Sequence, residues 1–305
     1  MITQAAPPTQ TGQPPLGTRY QAGGRRLLLH RSGQGGPAVV FLPGAGHVGL
    51  DYLNVHQQVA EITTSVLYDR AGTGWSDDVD LPRTAKTVAA ELRQLLQAAE
   101  VPPPHLLVGH SLGGAYARRY AQLYPDEVAG LLFLEPFYEG FSTVKTTRTI
   151  RDTLWQIFAL ARLALHVKPF YRGMFTQQFA SWPDAVRGPL VEYHLKTLRN
   201  TIKERKNLFT EIEPETKQGG ALPDVPLIVL AATGIDPYQA VVLPATQLRE
   251  LNSSKAALYA PLVQSVPRGE YREVPGAGHD TLWTERPDAV LQALRDLLSQ
   301  ASATP

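Results

Sequence analysis

The chain has 305 residues, 29 Lys and Arg against 28 Asp and Glu, 43% hydrophobic residues and no cysteine. A formal net charge of +1 supplies no long-range field to draw in a phosphate backbone or an anionic lipid surface, so nucleic-acid binding is set aside. The lack of cysteine excludes a disulfide framework, a thiolate metal site and a thiol nucleophile, and the length suits one large domain or one domain carrying a substantial insertion.

Met1 to Gly17 is rich in Pro, Gln and Thr, without the basic start or the apolar stretch of a signal peptide. It reads as a disordered tail, and a cytoplasmic location is the expectation. Four later runs are apolar throughout rather than alternating: Ala38 to Leu42, Leu106 to Val108, Leu131 to Leu134, and Leu227 to Ala232. Such runs suit strands buried on both faces of a parallel sheet. Between the first two, Thr84 to Glu100 places Val88, Leu92, Leu95, Leu96 and Ala99 on one helical stripe, which Pro102, Pro103 and Pro104 then stop. Ser111 to Tyr124 predicts a further helix.

From Phe137 to Leu222 the alternation breaks into helical stretches punctuated by Pro169, Pro183, Pro189 and Pro214. Residues 137–222 hold 12 of the 25 aromatic residues and 13 basic against 8 acidic side chains, which marks an insertion. Its apolar stretch Ile157 to Val167 is interrupted by Arg162 and His166 and falls short of the ~20 residues that span a bilayer, so no stable membrane insertion is expected. After Leu227 to Ala232, Tyr271 to Val274 predicts a short strand. Pro287 to Gln300 predicts a last amphipathic helix, with its proline where a first turn tolerates one. Alternating strand and helix predict an α/β fold with a mostly parallel central sheet and helices on both faces, its core spanning 18–136 and 223–300.

Gly109-His110-Ser111-Leu112-Gly113 sits where an apolar run ends and a helical stretch begins. A serine on a sharp strand-to-helix turn needs small residues two positions either side, which Gly109 and Gly113 supply. The helix starting there directs unpaired N–H groups toward the serine oxygen, so the Leu112 N–H is a candidate oxyanion donor. The competing reading makes Ser111 an N-cap and nothing more.

Together with this elbow, Gly44-Ala45-Gly46, the block Asp69-Arg70-Ala71-Gly72-Thr73-Gly74-Trp75-Ser76, and Pro275-Gly276-Ala277-Gly278-His279 resemble the α/β-hydrolase superfamily, in its cap-bearing single-domain branch. The blocks stand in the family's order over the chain from about Arg19 to Leu298. The resemblance implies a helical cap, or lid, inserted after the sixth strand, which would be residues 137–222. It implies Ser111 as nucleophile and His279 as base, and it places the orienting acid just beyond the strand that follows the cap, where Asp236 stands. Asp236 also suits a plain turn before Pro237. Glu135, at the end of the preceding strand, is the reserve acid. The Ala45 N–H takes the family's second oxyanion position, although Pro43 occupies a site where histidine is common. The Asp69 to Ser76 block implies a structural role beside the site.

These assignments point to a serine esterase acting on small to medium, largely apolar small-molecule substrates through an acyl-enzyme, with no cofactor and no metal. Relatives with the same triad also cleave carbon–carbon bonds, make peracids, release cyanide from cyanohydrins or act as slow ligand receptors, and the sequence leaves those alternatives open.

Overall fold

The computed structural model describes residues 12–140 and 167–302. The expected tail therefore lies outside the described residues up to position 11, as does the apolar stretch Ile157 to Val167 up to its last residue. Eight strands form one sheet in the order β1-β2-β4-β3-β5-β6-β7-β8. They are β1 (Thr18–Ala22), β2 (Arg25–Ser32), β3 (Ala38–Leu42), β4 (Ser65–Tyr68), β5 (His105–His110), β6 (Val128–Leu134), β7 (Leu227–Ala232) and β8 (Gly269–Val274). β2 runs antiparallel to β1 and β4, while every other neighbouring pair is parallel.

Each continuously apolar run lies in a parallel strand, and β3, β5 and β7 are buried at every residue. Helices cover both faces. On one side α1 (Leu53–Val59) and α6 (Pro287–Ser302) pack with Val39, Phe41 and Leu132; on the other α2 (Ala85–Ala98), α3 (Leu112–Leu123) and α5 (Ala245–Val263) pack with Val40, Leu107 and Phe133. Helix α2 begins where its apolar stripe begins, because the Thr84 hydroxyl accepts the Thr87 N–H as a cap. Strands β1, β2 and β4 lie outside the four runs singled out from the sequence, although β2 holds the buried run Leu27 to Leu29 between charged and polar neighbours. β1 is half exposed at the sheet edge, β2 mixes buried and exposed positions, and β4 has four residues.

Between β6 and β7 the described chain is helical over residues 167–178 and in α4 (Asp184–Glu204), followed by a π-turn at Leu208–Ile212 and a short helix at Glu213–Lys217. Helix α4 is interrupted at Thr197, whose hydroxyl donates to the Tyr193 carbonyl, a back-bond that bends helices. Phe175, Phe179 and Trp182 of this segment face inward and share a core with Leu50 and Tyr52, and the Trp182 Nε1–H donates to the Leu50 carbonyl at 2.8 Å, whereas Phe209 is exposed. No helix among the described residues is long and apolar enough to cross a membrane.

Candidate active site

The turn between β5 and α3 holds Ser111 at φ 49°, ψ −119°, a conformation that costs a side-chain-bearing residue energy and persists only where its surroundings enforce it. The enforcement is steric. A Cβ on Gly109 would lie 2.6 Å from the Gly114 Cα, and one on Gly113 would overlap the Leu42 carbonyl of β3. The Ser111 carbonyl accepts the Gly114 and Phe137 N–H groups at 2.9 and 2.8 Å, which pins the turn from both directions. Its side chain makes no capping hydrogen bond to α3, contrary to the reading of Ser111 as a plain N-cap.

His279 follows β8 and lines the same cavity as Ser111 and Leu112. Its Nδ1 lies 3.2 Å from Glu135 Oε2. Asp236, expected to orient this ring, has other partners: its Oδ1 accepts the Gln239 N–H at 2.7 Å and its Oδ2 the Asp280 N–H at 2.6 Å. Asp236 thus braces the loop that carries His279, while the carboxylate hydrogen-bonded to the ring is the reserve candidate. Burial, then repulsion from Asp280, pushes the Asp236 carboxyl up to about 6. Burial alone would lower the His279 pKa, but the Asp280 charge and the Glu135 hydrogen bond and charge together hold it above the ordinary value.

Glu135 sits one residue past β6 at φ 51° and is 2% exposed. The Lys255 Nζ, on α5, reaches the same Glu135 Oε2 at 2.6 Å and the Ala232 carbonyl at 2.5 Å. Sequence reasoning missed Lys255: a lysine in mid-helix carries no local signal, and only the docking of α5 beside β7 brings it to the carboxylate.

A hydrogen-bonded chain links the Gly44 turn to the His279 loop. The Gly44 N–H donates to the Tyr52 hydroxyl (3.3 Å), which lies 2.8 Å from His110 Nδ1, and His110 Nε2 lies 3.1 Å from the His279 carbonyl. Burial, with the neighbouring His279 and His47, depresses His110 well below the ordinary histidine range, so it serves as a neutral link. Beside it, His47 bridges Asp51 (2.8 Å) and Asp280 (3.2 Å), and Asp51 also receives His194 Nε2 at 2.8 Å. Burial opposes charge on His47, yet the two carboxylates overcome it and raise its pKa to about 10.

His110, His279 and Asp280 place candidate metal-ligating atoms within 4.8 Å of one another. Both His110 nitrogens, His279 Nδ1 and Asp280 Oδ1 already have the protein partners named above, so the trio reads as part of this network. In the Asp69 block, the Gly49 and Trp75 N–H groups donate to Asp69 at 2.8 and 2.9 Å. Trp75 stacks on Tyr193 at 5.5 Å and does not line the cavity.

The cavity measures about 320 Å³, with Leu112, Pro136, Phe137, Leu208, Phe209 and Leu258 as its apolar wall. Phe137, Leu208 and Phe209 come from the β6–β7 segment, so that segment shapes the space above Ser111.

Residues 39–293 match the model of the alpha/beta hydrolase family. The chain is 29% identical to the pimeloyl-[acyl-carrier protein] methyl ester esterase of Chromobacterium violaceum over 279 residues, 90% of this chain and 99% of that protein. It is 34% identical to YqjL of Bacillus subtilis over 107 residues, but that alignment covers 35% of this chain and spans less than half of YqjL, 42%. Among solved structures, an esterase from Thermogutta terrifontis superposes with a TM-score of 0.60 at 17% identity, covering 93% of this chain and 98% of that one, a likeness of fold. The parallel sheet, the serine turn at the end of its fifth strand and the family match across most of the length together place this chain in the alpha/beta hydrolase family.

Proposed function

We propose that the protein is a serine hydrolase that cleaves carboxylic esters of small to medium, largely apolar substrates. The observation that carries this reading is the strained turn that presents Ser111 to a cavity also lined by His279, with the far side of that imidazole on a buried carboxylate. The Ser111 hydroxyl attacks the ester carbonyl while His279 takes its proton, and the N–H groups of Leu112 and Ala45 hold the oxygen that becomes negative. The C–O bond then breaks, the alcohol leaves with the proton from His279, and a water activated by the same imidazole releases the acid and restores the serine. Glu135 is the orienting acid in this assignment, and Asp236 a positioning residue for the His279 loop.

Residues 137–222 act as a helical cap that selects substrates by shape, the core being 18–136 and 223–300. The near full-length similarity to an enzyme named for a methyl ester supports ester chemistry over the other reactions open to this triad. Hydrolysis of p-nitrophenyl esters from acetate to laurate, by the parent and by Ser111→Ala, tests the reading. The expected result is turnover abolished in the variant, with an optimum among short to medium acyl chains; equal activity in both would overturn it.

A further inference from the structure

The segment above the cavity is joined to the turn after β3 by a buried charge. Glu204, the last residue of α4, is 3% exposed, and its carboxylate has two partners. Oε1 meets Arg70 Nη2 at 2.7 Å, and Oε2 accepts the Gly46 N–H at 2.7 Å. The same Arg70, 2% exposed, donates from Nη1 to the Pro43 carbonyl at 2.6 Å and from Nη2 to the Gly44 carbonyl at 2.9 Å. The fit is close: a Cβ on Gly46, which has φ +80°, would overlap the Thr201 hydroxyl one turn earlier on α4.

Two of these bonds, those to the Gly44 carbonyl and from the Gly46 N–H, fall on the two peptide units that flank Ala45, and the bond to the Pro43 carbonyl holds the peptide before them. A peptide is planar, and in the trans form its C=O and N–H point in opposite directions. Holding the Gly44 carbonyl therefore fixes the direction of the Ala45 N–H, and holding the Gly46 N–H fixes the peptide on the other side. Burial alone would disfavour charge on the arginine, but the Glu204 carboxylate beside it outweighs that and keeps it ionised, so the clamp is a charge-assisted pair closed from the far side by α4.

We propose that Glu204 is a positioning residue for the oxyanion site: docking of α4 through Glu204 and Arg70 sets the Ala45 N–H, so oxyanion stabilisation depends on that segment being seated. The inference rests on the serine-hydrolase reading and on the Ala45 N–H as donor. It assigns to the segment a part in the chemical step besides substrate selection.

The test compares Glu204→Gln, the double variant Arg70→Met/Glu204→Leu and Tyr193→Phe, measuring kcat and KM on p-nitrophenyl butyrate and the Ki of an alkyl trifluoromethyl ketone, whose serine adduct carries the oxyanion. The double variant leaves no buried charge unpaired, so it can fold where single removal of a partner fails. Tyr193→Phe removes a different bond from the same helix to the core, the one accepted from the Gly74 N–H at 2.8 Å. Removing an oxyanion donor costs ~10²–10³ in kcat, so loosening one is expected to cost about 10–100-fold in the double variant and about 3–10-fold in Glu204→Gln. KM should stay within about three-fold, and ketone affinity should fall in step with kcat/KM. Tyr193→Phe should stay within about two-fold on every measure. The proposal is overturned by a folded Glu204 variant that keeps kcat and ketone affinity, by loss of kcat without loss of ketone affinity, or by Tyr193→Phe losing as much as the Glu204 variants. Failure of the underlying reading is distinguishable, because Ser111→Ala would then retain the parent's turnover.

Discussion

The ends of β6 and β7 offer a controlled comparison. The strands are neighbours in the sheet, both are built of apolar residues, and each runs out into a buried carboxylate, Glu135 directly after β6 and Asp236 in the loop after β7. Asp236 spends both oxygens on backbone N–H groups and so holds a loop. Glu135 places one oxygen between an imidazole and an ammonium and leaves the other buried without a hydrogen-bond partner among the described residues. Two acids at similar depth thus do different work, and what separates them is the kind of donor that the fold brings to each. A carboxylate saturated by amides fixes geometry; one shared by two titratable groups can tune a proton transfer.

Several substitutions would break or sharpen that contrast. The largest effect belongs to the proposed nucleophile: Ser111→Ala should lower kcat on p-nitrophenyl butyrate by at least about 10⁴-fold, read in initial rates with the fold checked by circular dichroism. Next, Asp236→Asn keeps one amide acceptor and loses the brace on the Asp280 N–H, so kcat should fall by about 3–30-fold, with a lower midpoint in thermal unfolding. A loss near that of Ser111→Ala would mean that Asp236 does more than hold the loop.

The smallest effects are shifts in pH dependence. Because the Asp280 and Glu135 charges outweigh burial and hold the His279 pKa above 6.5, the acid limb of kcat/KM should lie above that value, activity being lost as pH falls through it. Lys255→Met removes a positive charge from the carboxylate that faces the ring, which favours the imidazolium and should move that limb further up. A limb that stays put in the variant would show that the ion pair with Lys255 holds Glu135 in place without tuning His279.

Much of the frame was legible in the sequence. Parallel central strands announce themselves by uninterrupted apolar runs, and β3 and β7 begin and end where those runs do. The serine turn was legible because its steric demand is met by glycines at fixed offsets. What could not be read was anything that depends on partners distant in the chain. Glu135 and Asp236 both sit past strand ends, and the family resemblance favours Asp236; what favours Glu135 in the proposed assignment lies 144 residues away, in the oxygen that His279 Nδ1 reaches. Lys255, Arg70 with Glu204, and the His47 bridge between Asp51 and Asp280 are of the same kind, joining residues that only the tertiary fold brings together. The hairpin β1–β2 escaped for a different reason: it lies toward the sheet edge, where partial exposure dilutes the apolar signal.

The most direct measurement is kcat for Glu135→Gln beside Asp236→Asn, on one ester at a pH where His279 is neutral. If Glu135 orients the imidazole and steadies its charge, Glu135→Gln should lose about 10²–10⁴-fold while Asp236→Asn loses far less. The reverse order, with Asp236→Asn crippled and Glu135→Gln near the parent rate, would contradict the account and return the acid's part to the loop after β7.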